Sequence, residues 1–106
     1  RKEIDKANKK LKNFRILHGT EVNITSEGNL DMKDNVLKEL DIVLASIHTG
    51  FKNPKEKITR RITKAMENEN VDIIAHPSSR LINEPPKTSP IACWPRHTPK
   101  ILFVDA

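Results

Sequence analysis

Three apolar segments of strand type, each carrying a histidine or a carboxylate, constrain the fold of this sequence more than any other feature. They are residues 17–24 (LHGTEVNI), 43–50 (VLASIHTG) and 71–77 (VDIIAHP). The second segment ends on a histidine and breaks at a glycine, the third ends on a histidine before a proline, and the first contains a glutamate. The three segments therefore supply one potential metal ligand each, namely Glu21, His48 and His76.

The segments that follow these strands show helical patterns. Residues 54–68 carry apolar side chains at i, i+4, i+7 and i+8, and Pro54 suits the first turn of such a helix. We expect Asn53 to cap it. Its basic residues are expected on the other faces: Lys55, Lys57, Arg60, Arg61 and Lys64. A shorter helix is predicted over residues 35–40, with Asp34 as its cap. The side chains expected to turn inward there are Val36, Leu37 and Leu40.

The order strand, helix, strand, helix, strand predicts an α/β fold with parallel strands and helices on the outside. We expect residues 41–48 to be buried on both faces of the sheet, because their apolar character is nearly continuous. The other predicted elements are an amphipathic helix over residues 1–13 and strands over residues 14–25 and 100–104. In parallel α/β folds ligands gather at the carboxyl ends of the strands, which is where His48 and His76 lie.

Composition narrows the function classes. The 106 residues make at most one domain or a piece of a larger one, and the first residue is not methionine, so we expect a start inside a longer protein. The net charge of +5 favours anionic partners such as nucleic acid, but the lysines of the first 13 residues are explained as well by a solvated helix face. The single cysteine excludes an intramolecular disulfide and fits a cytoplasmic location. No apolar run approaches the ~20 residues of a membrane span, so no membrane partner is expected.

One glutamate and two histidines are a ligand set that suits zinc, manganese or iron. Positions 21, 48 and 76 are 27 and 28 residues apart, a spacing that successive βα units produce and that no local motif explains. A metal ion held there would polarise a phosphoryl oxygen or lower the pKa of bound water. The alternatives are that His48 and His76 are hydrogen-bonded structural residues, and that Glu21 faces solvent on an edge strand.

The remaining chemistry-bearing residues give weaker signals. His18 lies three residues before Glu21, on the opposite face of a regular strand, and is interpreted as structural. Ser46 shares a face with His48 but lacks the glycine elbow of a nucleophilic serine, and Cys93 lacks a local catalytic signature. Arg80 follows His76 by four residues and either contacts a phosphate or lies exposed in a loop.

Taken together, the three segments resemble one family. Residues 18–22 (HGTEV), 45–51 (ASIHTGF) and 74–80 (IAHPSSR) are similar to successive motifs of the polymerase and histidinol phosphatase (PHP) domain, in the version found at the C-terminus of bacterial and archaeal family X DNA polymerases. The resemblance implies a distorted (β/α)7 barrel with divalent ions at the carboxyl ends of its strands. We expect a partial PHP domain over residues 1–82 and a divergent proline-rich tail over residues 83–106, with a terminal strand.

The resemblance also implies a function, which is metal-dependent phosphoesterase chemistry. In polymerase-attached members this is 3′-5′ exonuclease activity and DNA-end processing in repair, with Mn²⁺ or Zn²⁺ as cofactor, DNA or a small phosphate ester as partner, and the remainder of a family X polymerase beside it. Glu21, His48 and His76 match metal ligands of the family, and Arg80 matches an arginine for which we expect phosphate contact. Asp105 is a candidate further ligand, because residues 101–106 resemble the strand before the family's closing Asp-x-His.

The sequence also departs from the family. The opening His-x-His pair, a further acidic ligand and another histidine have no counterpart here, so three ligands match a site that normally has about nine. Ser79 stands where close relatives have glycine. We therefore expect a fragment that is weakly active or inactive alone. The alternatives are a non-catalytic module that binds metal, DNA or a partner polymerase, and a histidinol-phosphatase-like enzyme for a small substrate.

Overall fold

The computed structural model of the chain describes residues 1–78 and 102–104. The helices are α1 (Lys2–Asn8), α2 (Asp34–Leu37) and α3 (Lys55–Met66), and the strands are β1 (Gly19–Asn23), β2 (Ile42–Ser46), β3 (Ile73–Ala75) and β4 (Leu102–Val104). All strand pairs are parallel and the sheet has the order β1-β2-β3-β4. The predicted α/β class with parallel strands is thus confirmed, and β4 lies within the stretch where a terminal strand was expected.

One face of the sheet packs against α2 and α3 and forms the core. Strands β1 to β3 and the residues that directly follow β1 and β2 contribute Val22, Ile24, Val43, Ala45, Ile47 and Ile74, and the helices contribute Leu37, Ile58, Ile62, Ala65 and Met66. The opposite face holds Ile42, Leu44 and Ile73, which are only half-buried. The prediction that β2 is buried on both faces is therefore only partly right, because Ser46 on this second face is buried whereas Ile42 and Leu44 are half-buried.

In the segment before β1, the helix is shorter than the sequence predicts and the strand begins later. Helix α1 ends at Asn8 and buries no residue, and the strand begins at Gly19. Asn13 has a positive φ of 57°, which interrupts the chain between the two elements. Both backbone groups of Ile16 are bound by the Asn8 amide, which donates to the carbonyl at 2.9 Å and accepts from the N–H at 2.7 Å. The predicted strand over residues 14–18 is lost because its backbone is satisfied outside the sheet.

The predicted helix caps are also wrong. Asp34 is the first residue of α2, and its carboxylate accepts hydrogen bonds from the side chains of Asn68 and Asn70 instead of capping the helix. Pro54 occupies the N-cap position of α3, and the N–H of Asn53 donates to Gly50. In α2 only Leu37 is fully buried. Leu40 packs against the core from the following turn, and Val36 is 45% exposed.

Asp41, just before β2, ties the N-terminal segment to the sheet. Its carboxylate accepts from the backbone N–H of His18 at 2.9 Å and from the Arg1 guanidinium at 2.8 Å. The hydrogen bond from His18 and then that from Arg1 lower the pKa of Asp41 below its ordinary value of 3.8.

We expect Asp41→Asn to lower the melting temperature at pH 7 and to lose this effect in acid. A carboxyl group whose pKa is lowered by folding stabilises the protein above its ordinary pKa, and the contribution disappears as the pH falls through the lowered value. The gap between the two melting temperatures should therefore be constant above about pH 5 and narrow below pH 3.8, as followed by circular dichroism. Asp5→Asn is the control, because Asp5 is exposed and only approaches Arg1 at 3.9 Å. A gap that widens in acid would contradict this assignment.

Some sequence-based predictions fall outside the described residues. These are the phosphate contact of Arg80, the ligand role of Asp105, the role of Cys93 and the boundary between residues 82 and 83. They stay predictions. None of the helices in the described part of the chain is long and apolar enough to cross a membrane.

Candidate metal centre

The parallel register brings Glu21 and the end of β2 to one face of the sheet. Glu21 lies beside Leu44, and Asn23 lies beside Ser46. Because side chains alternate between faces along a strand, Glu21, Leu44 and Ser46 share the face opposite the core, and His48 continues that series two residues later. In the described part of the chain α2 and α3 pack on the other face, and the side chains of Glu21 and His48 are 43% and 47% exposed.

His76 reaches the same place by a break in the alternation. A regular strand would put His76 on the side of Ile74, which is buried in the core cluster. Strand β3 instead ends at Ala75, and His76 has a positive φ of 35°. The left-handed backbone turns the histidine out of register, and its Nε2 lies 3.6 Å from Oε1 of Glu21. Strained backbone of this kind is often found at functional sites.

Glu21, His48 and His76 form a group whose ligand atoms all lie within 4.8 Å of one another. The Nε2 atom of His48 is 3.0 Å from Oε1 of Glu21, and the two imidazole rings are 5.4 Å apart and tilted by 52°. In a tetrahedral site with metal–ligand bonds of about 2.0–2.1 Å, ligand atoms are separated by about 3.3 Å. The two separations from Oε1 of Glu21, 3.0 and 3.6 Å, bracket this value, and all three ligand atoms lie within 4.8 Å, so the donor set is of the type and spacing that can hold a zinc-sized ion.

Ser46 completes the cluster, although no catalytic motif surrounds it in the sequence. Its hydroxyl is buried, donates to Oε1 of Glu21 at 2.6 Å and lies 3.0 Å from Nε2 of His48. The Ser46 hydrogen bond lowers the pKa of Glu21, partial burial raises it, and the charges of His48 and His76 lower it further. A serine, histidine and acid relay is absent from this group, since Ser46 and Glu21 both face the same nitrogen of His48.

His18 lies apart from the group and directly before the first residue of β1. Its backbone N–H is bound by Asp41, and its buried ring Nδ1 has no hydrogen-bond partner among residues 1–78. It is not among the clustered potential ligands of the described residues.

The left-handed backbone at His76 predicts a specific order of stabilities. His76→Asn should unfold at a higher urea concentration than His76→Val. Its free energy of unfolding should be larger by about 1–2 kcal/mol, because asparagine tolerates the left-handed region and a β-branched residue does not. The measurement is equilibrium unfolding without metal. His48→Asn and His48→Val are the matched control pair, since His48 does not have a positive φ. Equal stabilities of the two His76 variants would argue against the strained backbone.

The chain is similar to segments of curated proteins. Over 81 residues (76% of the chain) it is 53% identical to the DNA polymerase/3′-5′ exonuclease PolX of Bacillus subtilis (strain 168), of which the match covers 14%. Over 74 residues (66% of the chain) it is 46% identical to a probable phosphatase of Thermoanaerobacter sp. (strain X514), of which the match covers 30%. A probable phosphatase of Clostridium novyi (strain NT) is 42% identical over 74 residues, with 67% of the chain and 30% of that protein covered.

The chain thus spans less than a third of the length of these relatives. No protein-family model matches it. The similarity to an exonuclease-bearing polymerase and to probable phosphatases, together with the clustered Glu21, His48 and His76, supports a function related to phosphoester hydrolysis.

Proposed function

We propose that this chain is part of a metal-dependent phosphoesterase of the PHP type, in which Glu21, His48 and His76 bind a divalent cation. The observation that carries the proposal is the convergence of these three side chains, from three different strand segments, on one exposed edge of the sheet. Similarity to an exonuclease-bearing polymerase and to probable phosphatases supplies the reaction class.

Each residue of the candidate metal centre has its own role in the proposed function. A divalent ion bound there supplies charge that polarises a phosphoryl oxygen and activates water. Glu21 contributes a carboxylate that its lowered pKa keeps ionised, and His48 and His76 contribute imidazole nitrogens. Ser46 holds Oε1 of Glu21 from the buried side. The half-exposed ligand side chains leave a phosphate ester free to approach from solvent.

The finer proposal follows the resemblance. We propose that the sheet is one part of a distorted (β/α)7 barrel, that the chain is the 3′-5′ exonuclease segment of a family X DNA polymerase acting on DNA ends in the cytoplasm, and that its metal is Mn²⁺ or Zn²⁺. The 53% identity to a polymerase with a 3′-5′ exonuclease supports this choice. Three protein ligands suit one ion with an open position, whereas a two-metal clamp on a phosphodiester needs more. We therefore expect weak activity or none from this chain alone.

A second candidate is a phosphatase for a small phosphate ester, and the 42–46% identity to probable phosphatases favours it. The two candidates differ in substrate, because an exonuclease cleaves phosphodiesters and a phosphatase of this kind cleaves phosphomonoesters. The same centre would serve both, since a bound cation polarises the phosphoryl oxygen of either ester.

Titration of the purified chain with Zn²⁺ and Mn²⁺ by isothermal calorimetry tests the proposal. We expect one ion per chain with a dissociation constant at or below the micromolar range. Hydrolysis of bis(p-nitrophenyl) phosphate and of p-nitrophenyl phosphate by the loaded chain then separates the two substrate classes. A chain that binds zinc but hydrolyses neither ester would have the metal site without activity of its own, which agrees with what three ligands lead us to expect. Absence of binding at micromolar metal would overturn the ligand assignment.

A further inference from the structure

Arg61 is a buried cation in the middle of α3. It is 2% exposed, and within residues 1–78 its guanidinium forms no ion pair. Three of its hydrogen bonds go to backbone carbonyls: Nη2 donates to Ile24 at 2.7 Å, Nε to Thr25 at 2.9 Å and Nη1 to Thr49 at 3.0 Å. Nη1 also donates to the side-chain carbonyl of Asn53, at 3.5 Å. Burial lowers the pKa of Arg61, and the charge of Glu27 acts in the opposite direction. Because burying a charged side chain without an ion pair costs free energy, we expect Arg61 to have a specific role.

The three carbonyls belong to the carboxyl ends of two neighbouring strands. Ile24 and Thr25 directly follow β1, and Thr49 lies three residues after the end of β2. Carbonyls at strand ends lie beyond the regular ladder and need another donor if they are buried. The planar guanidinium offers several N–H groups in a fixed fork, so one side chain donates to all three. The carbonyl of Thr25 also accepts from the N–H of Gly28 at 2.9 Å. A lysine has a single nitrogen and cannot reproduce this geometry.

We call the three hydrogen bonds from Arg61 to these carbonyls the clamp, and the clamp lies next to the candidate metal centre along the chain. Thr49 is the residue after His48, and the N–H of His48 donates to the side-chain carbonyl of Asn23 at 3.1 Å. The backbone around His48 is therefore held from two directions, by Asn23 before the ring and by Arg61 after it. Asn23 is itself fixed, since its N–H donates to the Asp31 carboxylate at 3.1 Å.

We propose that Arg61 is a positioning residue for the metal centre, which joins the ends of β1 and β2 so that Glu21 and His48 stand at the separation a metal ion requires. This inference rests on the proposed function for the ligand roles of Glu21 and His48. Under this proposal α3 is connected, through the hydrogen bonds of Arg61, to the edge of the sheet where the candidate metal centre lies. The outer surface of α3 is polar and exposed. Residues that orient metal ligands in this way affect metal affinity by about 10–100-fold.

The test compares Arg61→Lys and Arg61→Met with two controls on the same helix. Arg60→Met removes an exposed positive charge next to the clamp, and Ile62→Ala weakens the core without touching the three carbonyls. Zinc affinity is measured by calorimetry at a temperature where circular dichroism shows each variant to be folded. We expect both Arg61 variants to bind zinc at least about tenfold more weakly than the unchanged chain. Arg60→Met and Ile62→Ala should bind zinc as the unchanged chain does.

Amide hydrogen exchange at His48 in the metal-free chain is the second readout. Arg61→Lys should speed exchange at this amide relative to the amides of β2, whereas Ile62→Ala should speed both together. If the unchanged chain binds no zinc, the proposed function fails and the exchange measurement still decides the positioning role. Arg61 variants with unchanged zinc affinity and unchanged His48 exchange would overturn the inference. A failure of Arg61→Lys to fold would also overturn it, because Arg61 would then serve the fold alone.

Discussion

Alanine at Glu21, His48 or His76 will weaken zinc binding by at least ~100-fold, which exceeds the 10–100-fold effect of outer residues that only orient a ligand. Each of the three supplies one donor atom to a group whose members lie within 4.8 Å of one another. Removing one donor leaves two, which is fewer than the three protein ligands of an open zinc site. Calorimetric titration of each variant with Zn²⁺ at pH 7.5 measures the loss.

The matched control for this prediction is His18→Ala. It also removes one imidazole from the described part of the chain, but His18 lies outside the ligand group. Its zinc affinity should equal that of the unchanged chain. Circular dichroism must show all four variants to be folded at the temperature of titration. Full zinc affinity in any one of the three ligand variants would remove that residue from the site.

Ile74→Ala will destabilise the chain by about 2–5 kcal/mol, a large share of the 5–15 kcal/mol that separates folded and unfolded states in typical domains. Ile74 lies in β3, is 0% exposed and belongs to the core cluster between the sheet and α3. The loss of stability has two parts, the apolar area that is removed and the cavity that remains. The cavity persists because β3 is paired with a strand on each side and cannot move to fill it. Urea unfolding followed by circular dichroism gives the free energy difference.

Val36→Ala is the control for this effect. It also shortens an aliphatic side chain, but Val36 is exposed on α2, and its substitution should change the free energy of unfolding by no more than about 0.5 kcal/mol. A comparable loss at both positions would mean that Ile74 does not lie in a packed core.

The features that sequence predicts best are those with a regular period. The apolar positions of α3 face the core as their spacing requires, and the three strand segments run parallel in chain order. Because parallel strands present their carboxyl ends on one edge, the meeting of Glu21 with His48 follows from topology and alternation alone.

The features that sequence missed depend on local backbone or on single side chains. The period of two would direct His76 into the core, and only its left-handed backbone brings it to Glu21. Ser46 was set aside because it lacks a nucleophile motif, yet its role here is to hold a carboxylate. The prediction that Arg61 lies on a polar face of α3 is wrong, because Arg61 stands at i+3 after Ile58, within the apolar stripe, and is buried. A charged residue at a core position of an amphipathic helix was the available signal.

The central claim is that Glu21, His48 and His76 together hold one divalent cation. A crystal of the chain grown with zinc, with diffraction data collected on both sides of the zinc absorption edge, tests it most directly. The claim predicts one anomalous peak about 2.0–2.2 Å from Oε1 of Glu21 and from Nε2 of both histidines. Zinc bound at another place, or a peak contacted by only one of the three residues, would contradict it.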